Sequence, residues 1–334
     1  MTALTEMTAL RAHRRGGPEV LVIERAPVPV AAAGEVLVAV HAAAITFDEL
    51  TWTETWTRDG VSRTPVIPSH EVSGVVADVA SGVGDFAPGD EVYGLIRFDR
   101  DGAAADFVAV PAADMATKPS TVSHAVAAAL PLAGLTALQA LVDHAAVQPG
   151  QAVLVHGGAG GVGALAVQLA AILGAQVTAT VRSDAGELLR GFGAQRVIDV
   201  RTEAFDDTGG AYDVVIDTVG GQTLDRSFAV LRRGGRLVAL SEPPPAGKAD
   251  EYGVTATFFI VEPNRDQLAK LAALVDGSSA KGRLHVEITQ TYPLDQGRGI
   301  RKRPPPRPTC GQDGDCRSGL TRTSRRDPMS RGDS

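Results

Sequence analysis

The chain has 334 residues, 44% of them hydrophobic and 21% charged, with a formal charge of −7, a balance that suits a globular protein of about two domains. The best apolar run, residues 161–175, is too short and too rich in Gly and Ala for a membrane span, and the N-terminus lacks a secretory apolar core, so a cytoplasmic protein is expected. The acidic total gives no sign of nucleic-acid binding, and the first 296 residues contain no cysteine, which excludes a disulfide framework or a cysteine-ligated metal there.

The segment "MTAL" occurs twice, at Met1 and Met7, which makes Met7 a plausible alternative start, with residues 1–6 expected to carry nothing. Residues 20–110 hold Val-rich runs bounded by Gly, Pro and Asp: "VLVIERAPV", "EVLVAVHAAAI", "EVSGVVADV", "DEVYGLI" and "ADFVAV". They predict an irregular, mostly antiparallel β-domain. Near Pro119 the pattern becomes helical, and Pro131 divides "SHAVAAALPLAGLTALQALVDHA" into two helices. Strands are then expected at 152–156, 176–181, 195–198, 213–217 and 235–240, and helices at 161–173, 184–192 and 222–232. That alternation implies βαβ units around a parallel sheet covered on both faces. "VTATFFIV" adds a strand, and "NRDQLAKLAALVDG" is a helix capped by Asn264 and stopped by Gly277. Residues 297–334 are different: ten Arg or Lys against four Asp give +6, leaving −13 to the remainder, and both cysteines, Cys310 and Cys316, lie here. So little apolar surface cannot offset ordering entropy, and a disordered or aberrant basic tail is expected, such as a translated frameshift. A nucleic-acid-binding tail is the rival reading, and the lack of an aromatic residue to stack weakens it.

Gly158-Ala159-Gly160-Gly161-Val162-Gly163 is a GxGxxG that follows an expected strand and opens an expected helix, the context a dinucleotide loop requires. Gly158 is expected to make the turn off the strand. Gly160 lets a pyrophosphate approach the backbone, and Gly163 lets the helix lie close to the sheet. The helix N-terminus favours the anion. An acid at the end of the next strand would grip the ribose 2′-OH of NAD. Here the strand ends "VTATVRSD". Arg182 and Ser183 suit a 2′-phosphate, so NADP(H) is favoured, with Asp184 as the counter-argument unless it caps the following helix. Loops after later strands bring Thr218, Val219, Gly220, Leu240 and Ser241 to the cofactor crevice. Asp217 and His156 are expected to be structural.

Taken together, "GEVLVAVHAAAITFDEL", "PVIPSHEVSGVV", "GVGDFAPGDEVYGL", "LPLAGLTALQAL", "GQAVLVHGGAGGVGALAVQLA", "GAQRVID" and "YDVVIDTVGG" resemble the medium-chain dehydrogenase/reductase superfamily, with the closer likeness to its zinc-independent quinone oxidoreductase branch. The resemblance implies a GroES-like substrate domain (7–120), a Rossmann NADP-binding domain (121–262) and a return to the substrate domain (263–296), followed by the tail (297–334). The positions of the family's catalytic zinc ligands fall at Thr46, His70 and near Ala133, a set without the soft donors zinc needs, so no metal is expected. The chemistry implied is hydride transfer from NADPH to a quinone or an α,β-unsaturated carbonyl. Enoyl-thioester or biosynthetic-pathway reduction, and NADPH binding without turnover, are the alternatives. Thr46, Asp48 and His70 are the candidate catalytic residues. Asp48 could equally cap the helix "DELTW", and His70 could be a retained structural histidine. Trp52 and Trp56 are candidates to wall the cleft. Thr136, Phe259 and Ile260 are implied to approach the nicotinamide, and the strand at 254–261 is implied to pair across a homodimer interface at the Rossmann sheet edge.

Overall fold

The structure is a computed structural model that describes residues 5–46, 49–277 and 282–299. The Val-rich N-terminal runs alternate inward and outward residues, and they pair as such runs should. β1 (Glu6–Ala12) and β2 (Leu21–Pro27) form an antiparallel pair. Glu6 and Met7 already belong to β1, and the Thr5 carbonyl accepts from Val28, so structure begins ahead of the second "MTAL". Burial of Met7 between strands is the physical reason.

β3 (Glu35–Ala44) is followed by the one-turn helix α1 (Thr53–Trp56) and by a hairpin of β4 (Thr57–Arg58) and β5 (Val61–Ser62). Next come β6 (Glu71–Val79), β7 (Glu91–Leu95), β8 (Phe107–Pro111) and β9 (Met115–Thr117). Their five-stranded antiparallel sheet has the order β8-β3-β6-β7-β9. Val36, Val38, Val72, Val76, Val92 and Val108 form its core.

Ser123 caps α2 (His124–Ala128) by accepting from Val126, and Pro131 starts α3 (Pro131–Gln139), where its missing N–H is not needed. A π-turn at Ala140–His144 extends α3. β10 (Ala152–His156), α4 (Gly161–Ile172), β11 (Gln176–Val181), α5 (Gly186–Gly191) and β12 (Arg196–Asp199) then alternate, followed by β13 (Tyr212–Asp217), α6 (Gly221–Ser227), β14 (Leu231–Ala239), α7 (Lys248–Tyr252) and β15 (Thr255–Phe258). The sheet is six-stranded and parallel in the order β12-β11-β10-β13-β14-β15. Its direction of winding reverses between β10 and β13, which opens a crevice at their C-terminal ends. Both strands are buried runs of Val, Leu and Ile, and α4 is apolar almost all round because it is buried too.

Two expected helices differ. The segment 222–232 is helical only to Ser227, and a 3-10 turn leads straight into β14 at Leu231. Leu231 pairs with Tyr212, and Arg232 reaches Asp213, so sheet pairing captures these residues. The helix expected from 184 begins at Gly186, with Ala185 at its N-cap and no side-chain cap.

The last α-helix among the described residues, α8 (Arg265–Val275), is capped by Asn264, whose side-chain Oδ1 accepts from the Gln267 amide at 3.0 Å. It docks on the antiparallel sheet. Tyr93 donates to the Leu268 carbonyl at 2.6 Å, and Arg265 donates to the carbonyls of Met115 and Ala112. Gln168 of α4 holds the following segment through His285, donating to its carbonyl and accepting from its N–H. Leu294 then packs beside Leu10 under β1 and β2. The chain thus returns to the N-terminal strands, and no strand follows β15 among the described residues. Among them, no helix is long and apolar enough to cross a membrane. The tail from 300 onward lies outside the described residues.

Candidate active site

The glycine loop runs from the end of β10 into α4. Its sharp turn is at Gly157, with φ +70, and not at Gly158. Gly157 also lacks room for a side chain, because an added Cβ would meet Thr218 Oγ1 at 2.4 Å. Sequence reasoning missed this residue, although the doubled glycine after His156 was the available signal. Gly158 has a packing role instead: its Cβ would stand 2.9 Å from Ala179 of β11 and 3.0 Å from Leu189 of α5. Gly163 faces inward, where a Cβ would lie 2.2 Å from the Gly157 carbonyl oxygen. Gly160 and Gly161 face outward. An added Cβ at Gly161 meets nothing within 4 Å, and one at Gly160 meets only the Gly157 oxygen at 3.3 Å. Ala159 is exposed and Val162 half-buried. The amides of Gly161, Val162 and Gly163 are the first three of α4 and have no intrahelical acceptor. An exposed cradle of N–H groups at a helix N-terminus is a place for a phosphate.

Across the crevice, Thr218 donates to the His156 carbonyl at 2.8 Å and so ties the ends of β10 and β13 together. Asp217 accepts from the amides of Val219 and Gly220 at 2.6 and 3.0 Å, which folds the exit loop and gives Asp217 its structural role. Leu240 donates to the Asp217 carbonyl, and Ser241 is exposed beside Gly220. His156 is fully buried, with Thr180 on one ring nitrogen and Ser227 on the other, both at 3.0 Å. Burial pushes its pKa down to about 3, the state of a packed neutral imidazole. Phe259 stacks on His144 at 4.1 Å, and Ile260 is 56% exposed beyond the edge strand β15.

At the end of β11, Arg182 is exposed and has no hydrogen bond or ion pair among the described residues, while Ser183 lines a cavity of about 280 Å³. Asp184 does not cap α5. It pairs with Arg201 at 2.8 Å, because a guanidinium offers a carboxylate a stronger, charge-assisted bond than a helix amide does.

The antiparallel domain contributes a second cluster. Thr46 is half-buried just past β3. Asp48 lies outside the described residues. Glu49 is buried and accepts from the Ser69 amide at 2.7 Å, and burial pushes its carboxyl up to about 8. Glu71 is buried as well and accepts from the Leu132 amide at 2.9 Å, capping α3 from another domain's strand. Burial raises it to about 7. His70 lies between them in sequence. Both of its ring nitrogens are buried without a hydrogen-bond partner among the described residues, and burial, then the charge of Arg63, push its pKa down to about 4. It is therefore a neutral imidazole at neutral pH, neither hydrogen-bonded into the domain nor poised as an imidazolium.

Phe98 takes the edge of His70 at 5.2 Å and of Trp52 at 5.1 Å, an aromatic trio that the sequence reading saw only in part. Trp56 is a packing residue that donates to the Leu50 carbonyl at 2.8 Å. Thr136 donates to the Leu132 carbonyl one turn back at 2.6 Å, the usual habit of a helix-internal threonine, which leaves only its acceptor capacity for a ligand.

The positions expected to hold zinc in related dehydrogenases present a hydroxyl (Thr46), an imidazole (His70) and a methyl group (Ala133). That donor set does not fit a catalytic zinc, which takes three N, S or carboxylate ligands. Among the described residues no group of three His, Cys, Asp or Glu side chains is gathered to hold a metal.

Comparison with known proteins places two family models on the chain: the alcohol dehydrogenase GroES-like domain over residues 32–120, and a family described as zinc-binding dehydrogenase over 192–298. The second span contains neither Thr46, His70 nor Ala133, so its description says nothing of those positions. The NADPH-dependent alkenal/one oxidoreductase of Arabidopsis thaliana chloroplasts is 35% identical over 287 residues, 83% of this chain and 71% of that protein. The solved quinone oxidoreductase of Coxiella burnetii superposes with a TM-score of 0.77 at 30% identity, covering 88% of this chain and 94% of that one. A mycobacterial protein solved with NADPH gives 0.74 at 29% identity, with the same coverage.

Proposed function

The chain belongs to the medium-chain dehydrogenase/reductase superfamily, in its quinone oxidoreductase-like branch, and from that membership we propose that it is an NADPH-dependent reductase of quinones or α,β-unsaturated carbonyls that works without zinc. The observation that carries the reading is the pairing of an outward-facing glycine cradle with a cleft whose zinc positions are Thr46, His70 and Ala133. When bound, NADPH supplies the hydride. The amides of Gly161, Val162 and Gly163 hold the pyrophosphate, with Ala159 and Gly160 alongside, and Arg182 and Ser183 hold the 2′-phosphate. Thr136, Thr218, Val219, Gly220, Leu240, Ser241, Phe259 and Ile260 line the nicotinamide end.

An acceptor that already carries an activated double bond needs no Lewis acid. It needs a dry planar slot, an oxygen held by a hydrogen bond, and a proton. Trp52 and Phe98 supply apolar walls, and the Thr46 hydroxyl is the donor for the carbonyl oxygen. The neutral imidazole of His70 lies against Phe98 and offers a further N–H only to an acceptor that reaches its buried ring nitrogens. Asp48 stays a candidate for orienting a donor. We also propose the division into a substrate domain (7–120), a Rossmann domain (121–262) and a return segment (263–296). A cytoplasmic homodimer joined at the β15 edge belongs to the same proposal, and the exposure of Phe258 and Ile260 supports the dimer.

The test is steady-state NADPH oxidation by purified protein, with phenanthrenequinone and with a small enone. Turnover of either supports the proposal. Turnover only of an enoyl thioester selects that alternative, and tight NADPH binding without oxidation of any acceptor overturns catalysis. One tightly bound zinc per chain on metal analysis would overturn the zinc-free reading.

A further inference from the structure

The ends of β11 and β12 form a corner with more carboxylate than a phosphate site should have. Asp184, Glu187 and Asp199 all line the cavity there, together with Ser183 and Arg190. Val181 of β11 and Gly186 and Glu187 of α5 line it, and Gly158 of the glycine loop packs between that strand and that helix, where an added Cβ would stand 2.9 Å from Ala179 and 3.0 Å from Leu189. A 2′-phosphate carries between one and two negative charges at neutral pH. Three acids would repel it, and a free aspartate here would instead accept from a ribose diol, as in NAD sites.

Arg201, two residues beyond Asp199, changes that balance. Its Nε donates to both Asp199 oxygens at 2.9 Å. Its Nη2 donates to Asp199 at 2.5 Å and to Asp184 at 2.8 Å. One guanidinium thus satisfies two carboxylates from different elements in a planar fork, which lysine could not reproduce in geometry, only in charge. The same hydrogen bonds hold the Asp199 carboxyl below its usual range. Arg182 and Arg190 make no ion pair among the described residues, and against Glu187, the one acid that Arg201 does not hold, they leave one net positive charge at this corner.

We propose that Arg201 is the positioning residue that sets dinucleotide choice: by occupying Asp184 and Asp199 it prevents either from gripping a ribose diol and leaves Arg182 and Arg190 to receive a 2′-phosphate. This rests on the NADP(H) reading above. Arg201 touches no reacting atom in this scheme and acts through the two aspartates.

The experiment is titration of wild type, Arg201→Gln, Arg201→Lys and the triple variant Arg201→Gln/Asp184→Asn/Asp199→Asn with NADPH and, separately, NADH, read by quenching of tryptophan fluorescence, with a thermal melt of each protein. Arg201→Gln should move the ratio of the two dissociation constants toward NADH by on the order of tenfold, as uncompensated like charge does. Arg201→Lys should keep much of the wild-type ratio, and the triple variant should return toward it because the freed carboxylates are gone. The shift in Arg201→Gln should shrink at high salt. A ratio unchanged in Arg201→Gln, or both dinucleotides weakened equally in a protein that melts normally, overturns the proposal. Should Arg201→Gln fail to fold, a ratio in Arg201→Lys that moves fully toward NADH overturns it. A wild type without preference for NADPH would instead overturn the underlying NADP(H) reading.

Discussion

Gly163→Ala tests whether the loop is held as described. The added methyl carbon would sit 2.2 Å from the Gly157 carbonyl oxygen, 2.8 Å from its carbon and 3.0 Å from Gly158 Cα. All three neighbours are backbone atoms of the glycine loop, so no flexible side chain can give way. Overpacking of this kind costs about 1–3 kcal/mol, and the contact is close enough to sit toward the upper end. Alanine recovers up to about 1 kcal/mol of helix propensity. A net loss of about 2 kcal/mol follows, or roughly 3 °C in melting temperature for a chain of 334 residues at about 2.1 cal/mol/K of unfolding entropy per residue. NADPH binding should weaken as well, because the strain is relieved by moving Gly157 and Gly158. Gly161→Ala is the control. Its methyl group meets nothing within 4 Å in the protein, so the melt should be unchanged or slightly higher. NADPH affinity should still fall, on the order of tenfold, because the methyl group stands on the surface that the pyrophosphate approaches. Scanning calorimetry of the ligand-free proteins and NADPH titration give the two readouts. A Gly163→Ala protein that melts and binds like wild type would refute the packing argument. A Gly161→Ala protein that binds like wild type would refute the assignment of the outward face.

Tyr93→Phe removes a buried 2.6 Å bond to the Leu268 carbonyl; we expect a loss of about 1–2 kcal/mol in urea unfolding, with α8 the first element to lose protection from hydrogen exchange. Asp276 accepts from the amides and hydroxyls of Ser120 and Thr121; although burial opposes them, these bonds lower its pKa from 3.8 to about 2. A depressed carboxylate contributes stability above its unfolded pKa and loses it as pH falls, so wild type should lose stability faster than Asp276→Asn between pH 3.8 and about 2. Glu49 has the opposite sign. Its folded pKa is raised from 4.5 to about 8, so the unfolded chain releases the proton first and stability falls as pH rises through that window. Glu49→Gln, which keeps an oxygen for the Ser69 amide, should flatten the decline in melting temperature toward pH 8.

Much of the fold was legible because its signals are local. The βαβ alternation, the Asn264 cap and the Pro131 break each depend on residues within one or two turns, and the structure has them where periodicity put them. The glycine loop between β10 and α4 was legible for the same reason, since a glycine motif between a strand and a helix is read within a single window. The individual roles inside it were less so. The turn was expected at Gly158 and lies at Gly157, because φ depends on how the loop meets Thr218, some sixty residues away.

Composition, periodicity and one glycine motif by themselves determined the two sheets, the glycine loop between strand and helix, and the lack of cysteine in the first 296 residues; which positions correspond to zinc ligands came from the family resemblance. Only the tertiary structure decided which side chains complete one another. Asp184 reads locally as a helix cap and is bound instead to Arg201. Glu71 stands in a Val-rich strand with no local sign of a partner and holds the N-terminus of α3, some sixty residues on. His70 could be read as acid or structural residue and emerges neutral beside Phe98, with no ring hydrogen bond among the described residues. The physical reason is common to all three. Local backbone preference is set by near neighbours, whereas the charge state and partner of a buried polar group depend on what the folded chain brings beside it and on the water it removes.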